Sequence, residues 1–219
     1  MALGASAPVI AVAGVIGFHQ LTSPGSQISQ AQPLVISKSD LRRIVQLLKY
    51  FTDDLERRAH DAEWHGLTAI RVPDIDEMSL ETANEWVYHA KSSASKMRRA
   101  ITIMTIRGVE EITVKPPLKA TPILPTFTYV DLIRIRRYLQ YFGDSLMKRI
   151  LEEVGLVREP LKTIFHPVLG WIEVEKAERL ASSAREYAEK IDKLVEMMRQ
   201  EGVEKITLPM ESSSNDYEA

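Results

Sequence analysis

From residue 38 onward, apolar side chains return at the spacing of one helix face, and they do so twice. Leu41, Ile44, Leu48, Phe51 and Leu55 follow one another at intervals of three and four, and Leu132, Ile135, Leu139, Phe142 and Leu146 repeat the series 91 residues later. Each run predicts a long amphipathic helix with one buried stripe. Ser37-x-x-Asp40 and Thr128-x-x-Asp131 precede the runs. They place a hydroxyl at the N-cap and a carboxylate three residues on, a variant of the capping box that the helix dipole also favours. Gly66 and Gly155 mark the expected stops. A second pair of long helices is predicted at about 79–107 and 173–201, with Ala90, Ala94, Lys96 and Met104 matching Ala184, Ala188, Lys190 and Met198. The small alanines predict a place where two helices approach closely. Gly108 and Gly202 then end these helices, as residues able to take positive φ. Residues 68–72, 163–167 and 171–174 in the connectors, and 110–114 and 204–208 after the second helices, predict short strands.

The match between the two halves extends to the polar residues. Asp40-Leu41-x-Arg43-Ile44 returns as Asp131-Leu132-x-Arg134-Ile135, and Leu48-x-Tyr50-Phe51-x-Asp53-x-Leu55 as Leu139-x-Tyr141-Phe142-x-Asp144-x-Leu146. Arg58 and Arg149 make ten identities in the twenty positions 40–59 and 131–150. Gly108-Val109-Glu110 and Gly202-Val203-Glu204 close the units at an offset of 94. The expected fold is therefore mainly α: a tandem duplication of a helix–connector–helix–short strand unit, forming a four-long-helix body with minor β pairing at one end, plus an extended N-terminal arm. The expected segments are an arm at 1–36, a first unit at 37–116, a proline-bearing linker at 117–122, a second unit at 123–209 and a flexible tail at 210–219. Units of this size stand near the lower limit for a self-sufficient core, so the two are expected to share one.

Charge is unevenly placed. Met1 to Ser37 contains no Lys, Arg, Asp or Glu, although the chain as a whole carries a net charge of −2. The apolar part of this arm holds Val9, Ile10, Val12, Val15, Ile16 and Phe18. It is too short to span a bilayer as a helix, and no Lys or Arg precedes it as in a signal peptide. Two readings follow. It is a disordered leader or an atypical signal sequence, or it is an assembly arm ordered only against a neighbouring subunit, another coat protein or lipid.

The absence of cysteine excludes disulfides and thiolate metal sites. No nucleotide-binding, zinc-protease or hydrolase motif occurs, so no catalytic residue, cofactor or metal is expected, and the chain reads as a non-enzyme. Glu56/His60 and Glu85/His89 have chelating i, i+4 spacing, which more often makes a surface polar pair. Asp53 and Asp144 are expected to engage arginines one turn away on their own helices. The best candidate for ligand contact is a stripe. Arg43, Tyr50 and Arg57 are spaced by seven residues, and the second copy repeats them as Arg134, Tyr141 and Lys148, with Arg137 one turn from Arg134. Arg98 and Arg99, with Lys96, extend the surface. Cations with an intervening phenol suit a phosphate backbone. The opposing reading is a solvated helix face, its arginines paired with Asp53, Asp54 and Asp144 at little energetic gain.

A helical body with basic helix faces and an extended arm resembles the major capsid proteins of filamentous viruses of hyperthermophilic archaea. The resemblance is architectural, covers residues 1–209, and carries over no individual residue. It implies a single-chain version of the capsid dimer, a structural self-assembling subunit of a virion whose partners are further copies of itself and double-stranded DNA. The cysteine-free, Arg- and Ile-rich composition fits a hot habitat, whereas the lack of net positive charge departs from the family's pattern. A reading from a different class is a cytosolic adaptor or regulatory bundle with two equivalent partner sites.

Overall fold

Ser37 and Thr128 begin the two leading helices as their spacing predicts. In the computed structural model, which describes residues 33–72, 75–114, 125–155 and 162–207, Ser37 Oγ accepts from the amide of Asp40 at 2.9 Å and Asp40 Oδ2 accepts from the amide of Ser37 at 3.0 Å. Thr128 and Asp131 make the same reciprocal pair at 3.0 Å each. Two of the orphan amides of each helix start are thereby satisfied. The arm residues Val9, Ile10, Val12, Val15, Ile16 and Phe18, the linker 117–122 and the tail 210–219 lie outside the described residues.

The first repeat runs β1 (Leu34–Ser37), α1 (Lys38–Trp64), β2 (Ala69–Val72), β3 (Ile75–Ser79), α2 (Leu80–Ile106) and β4 (Glu111–Val114). The second runs β5 (Thr126–Thr128), α3 (Tyr129–Gly155), β6 (Thr163–His166), β7 (Gly170–Glu173), α4 (Val174–Gln200) and β8 (Lys205–Thr207). Every helix has 27 residues, about 40 Å at 1.5 Å per residue. In each repeat the two helices form an antiparallel hairpin with a two-stranded antiparallel sheet at both ends. The tip carries β2–β3 or β6–β7, and the base carries β1–β4 or β5–β8.

Three details correct the expectation from sequence. The strands pair at both ends of the helices rather than one. β1, β3 and β5 are additional strands: β1 and β5 gain their ladder partners β4 and β8 only when the chain returns, and β3 closes a hairpin on β2. Residues 34–36, assigned to the arm, belong to β1 and hence to the body. The anchoring bonds repeat too: Lys38 N donates to Glu110 O at 2.7 Å and Tyr129 N to Glu204 O at 2.9 Å, while Arg58 and Arg149 each donate to a carbonyl of the adjoining tip hairpin. Gly108 and Gly202 take φ of 67° and 62°, which lets Val109 and Val203 donate back to Met104 and Met198 and close the helices.

Both apolar stripes are buried, Leu41, Ile44, Leu48, Phe51 and Leu55 as fully as Leu132, Ile135, Leu139, Phe142 and Leu146, and they join in one hydrophobic cluster. The alanines Ala90, Ala94, Ala184 and Ala188 are buried as well. At Gly143 of α3 a Cβ would lie 3.0 Å from the carbonyl oxygen of Ala181 and 3.3 Å from Ala184 Cβ, so glycine sets the spacing of α3 and α4. In the first repeat Thr52 takes that place, its hydroxyl donating to the Lys49 carbonyl of its own helix.

Candidate functional site at the seam between the repeats

The repeats meet through contacts that come in matched pairs. Lys96 of α2 donates to Asp131 of α3 at 2.6 Å, and Lys190 of α4 reaches Asp40 of α1 at 3.3 Å. Both carboxylates are also the partners in the capping boxes, so one group starts a helix and ties it to the other repeat. Burial opposes ionisation of Asp131, but the hydrogen bond from Lys96 and those of Thr128 outweigh it and hold the carboxyl below its usual range. Burial likewise works against the charge on Lys190, and the bonds to Asp40 and Glu186 prevail to raise its pKa. Between these bridges, Tyr50 stacks on Phe142 at 6.2 Å and Phe51 meets Tyr141 edge-on at 5.8 Å. Each repeat therefore offers its tyrosine to the other's phenylalanine, the reciprocity of an isologous dimer.

Along the seam the symmetry fails at its two grooves. On the α2–α3 side, Trp86 fills the groove between the repeats. Its ring lies 5.4 Å from Tyr138, 6.4 Å from Phe51 and 6.4 Å from Tyr141, with the Arg137 guanidinium 5.0 Å away over its face. Burial pushes the Tyr138 phenol up to about 12. His89 adds to the filling: Arg134 Nη1 donates to its Nδ1 at 3.1 Å, and Glu85 lies 3.4 Å from its Nε2. On the α4–α1 side the corresponding residues are Leu180 for Trp86, Ser183 for His89, Ser182 for Tyr88 and Gln46 for Arg137. There a cavity of about 960 Å³ opens, lined among others by Arg43, Tyr50, Ile172 and Leu180.

These contacts place the stripe residues. Arg43 donates to Gln46 at 2.9 Å, and Gln46 to the Tyr50 hydroxyl at 2.6 Å. Arg57 faces Asp61 at 3.5 Å. Tyr50 and Tyr141 are half-buried in the seam, and Arg134 and Arg137 lie against His89 and Trp86. Lys148, Arg98 and Arg99 are exposed. The two stripes thus line opposite sides of the seam, with different neighbours. Asp53 pairs with Lys49 on its own helix and Asp144 pairs across to Arg185 of α4 at 2.8 Å, so both correct the expected same-helix arginine. Asp54 does pair with an arginine of its own helix, Arg58 at 2.8 Å. Of the spaced Glu/His pairs, Glu56 binds Lys91 at 2.5 Å and Glu85 lies near both His89 and Arg134.

One residue that mattered structurally carried no signal in the spacing. His166 of β6 is buried beside Phe142, and its Nδ1 accepts from the amides of Val168 and Leu169 at 3.3 Å each. Burial is the main reason its pKa falls to about 4, with Arg149, Arg58 and Arg57 acting in the same direction and Asp54 against them. The neutral ring orders the turn between β6 and β7. Its counterpart in the first repeat is Val72.

Among the described residues no group of three or more His, Asp or Glu is placed to hold a metal ion. No helix among them is long and apolar enough to cross a membrane. No protein-family model, characterised protein or solved structure matches the chain.

Proposed function

We propose that the chain is a structural, self-assembling subunit. The observation that carries this reading is the apolar surface at the tips of the helical hairpins. Among the described residues nine large hydrophobic side chains are exposed, and five lie there: Trp64 and Leu67 on the first repeat, and Leu151, Phe165 and Trp171 on the second. Singly exposed apolar side chains are ordinary. Two tryptophans 81% and 73% exposed, one at each tip and the second packed on Phe165, are the residue type enriched in protein interface cores. The uncharged stretch before Ser37 supports the same reading. The internal pseudo-dimer provides the matched halves expected of a fused coat-protein dimer.

Within that class we propose a capsid or nucleoprotein role, with the arm packing on a neighbour. Solvent-facing Arg98, Arg99 and Lys148 are the residues best placed to meet double-stranded DNA. Arg134 and Arg137, already engaged at the seam, are poorer candidates. The unequal grooves favour one partner site over the two equivalent sites of an adaptor.

Negative-stain electron microscopy of the purified full-length chain, with the 260/280 nm absorbance ratio of the same sample, tests this. Regular filaments or shells are expected, and deletion of residues 1–33 should abolish them. Co-purifying nucleic acid would support the nucleoprotein role; its absence from well-formed particles would remove that role and keep assembly. A monodisperse small particle would sink the proposal.

A further inference from the structure

Resting on that self-assembly reading, the geometry points to the contact itself: Trp171 of one copy seats its indole in the open groove between α1 and α4 of a second copy. The molecule contains its own template for this. The chain has three tryptophans. Trp86 occupies the closed groove, beneath a guanidinium and beside Tyr138 and Tyr141. The open groove keeps Arg43 and Tyr50, the counterparts of Arg134 and Tyr141, but offers Leu180 and Ser183 where Trp86 and His89 stand. It lacks the indole that Trp86 supplies to the closed groove.

The second repeat also departs from the first at its tip, and in the complementary sense. Phe165 and Trp171 pack edge-on at 5.6 Å where the first repeat has Arg71 and Glu77, a preformed aromatic knob in place of two charges. Strand alternation keeps knob and groove of one chain apart. Ile172 lines the groove, whereas Trp171 and Glu173 face away from it into solvent. A second copy resolves both. Charge agrees: Arg43 and Lys176 of the groove have no carboxylate partner among the described residues, and Glu173, on the knob's face, has no cationic one. Glu175 and Glu186, also in the lining, are already paired with Arg179 and Lys190, which leaves Glu178 as the groove's one unpaired acid among the described residues. Gln46 stands where Arg137 covers Trp86, so the cation offered to a seated indole is Arg43 of the groove lining.

Sedimentation velocity of the full-length chain tests the contact with Trp171→Ser and with Leu180→Trp, which fills the groove as Trp86 fills the other. Each variant alone should associate about thirty-fold more weakly than the parent, the loss expected for a central tryptophan. Mixing the two should restore association, because Leu180→Trp retains the knob and Trp171→Ser retains the groove; misfolded variants could not complement in this way. In a Trp64→Phe background, the Trp171 emission should shift to the blue and resist acrylamide quenching as the protein assembles. Unimpaired assembly of Trp171→Ser, or failure of the mixture to associate, would overturn the contact while leaving self-assembly standing. A parent that stays at 24.8 kDa at every concentration would overturn both.

Discussion

Replacing Phe51 with alanine probes whether the two repeats are one folding unit. The side chain belongs to α1, is 2% exposed, and its nearest ring partners are in the other repeat: Tyr138 stacks at 4.9 Å and Tyr141 meets it at 5.8 Å, with Trp86 of its own repeat at 6.4 Å. Truncation of a buried phenylalanine costs about 3–5 kcal/mol, from lost transfer energy and the cavity left behind, and aromatic pairs add to the upper end of that range. With roughly 2–4 °C per kcal/mol for a body of this size, about 4 kcal/mol lowers Tm by about 8–16 °C. Scanning calorimetry, at a concentration where the chain is monomeric because assembly itself raises Tm, should show a single transition that moves as a whole. Phe142→Ala should shift the same transition. Two transitions, of which one stays in place in the Phe51→Ala variant, would refute a shared core; so would a loss below about 1 kcal/mol.

Asp131→Asn removes the charge shared by a helix start and the bridge to Lys96, and should cost about 1–2 kcal/mol in urea unfolding. Because the folded carboxyl is held below its usual value, this contribution is complete above about pH 4 and disappears as the pH falls further; the parent's advantage over the variant should vanish there. His166 acts in a different window. Its folded pKa near 4 lies below the unfolded value near 6.5, so the unfolded chain binds the proton first, and stability declines as the pH falls from about 6.5 towards 4. His166→Val, which copies Val72 of the first repeat, should flatten that decline while lowering stability at pH 7 through the unmet amides of Val168 and Leu169; an unchanged pH slope would assign the decline to other groups. At Gly143, alanine gains about 1 kcal/mol of helix propensity against a backbone carbonyl 3.0 Å from the new Cβ, so the net effect should be a small loss. Gly143→Leu should cost well over 2 kcal/mol by forcing α3 and α4 apart, whereas Thr52→Ala, at the matching position, should be mild.

The helices could be read from sequence because their signals are local. Ser37 with Asp40 and Thr128 with Asp131 mark the starts within one turn, and Gly108 and Gly202 mark the ends. The strands β1 and β5 could not, since three or four residues such as Thr-Phe-Thr become a strand only through a ladder partner far along the chain, and β3, Ile-Asp-Glu-Met-Ser, shows no run of β-forming residues of its own. The same holds for Asp144: the spacing offered a same-helix arginine, and packing brought Arg185 from α4 instead. Matching the repeats by their identities found Tyr50 and Tyr141 but hid the groove, because its signal lies where the copies differ. Leu180 against Trp86, Ser183 against His89, and Trp171 against Glu77 were visible in the alignment of the two halves. Only the fold shows that these differences gather around one open groove and one exposed knob.

The most direct test of assembly is sedimentation velocity of the unmodified full-length chain over about three decades of concentration. Self-assembly through a specific contact requires a reversible, concentration-dependent rise from 24.8 kDa to dimers or longer species. A single 24.8 kDa boundary throughout would contradict it, and the exposed tip tryptophans would then need a different protein as their partner.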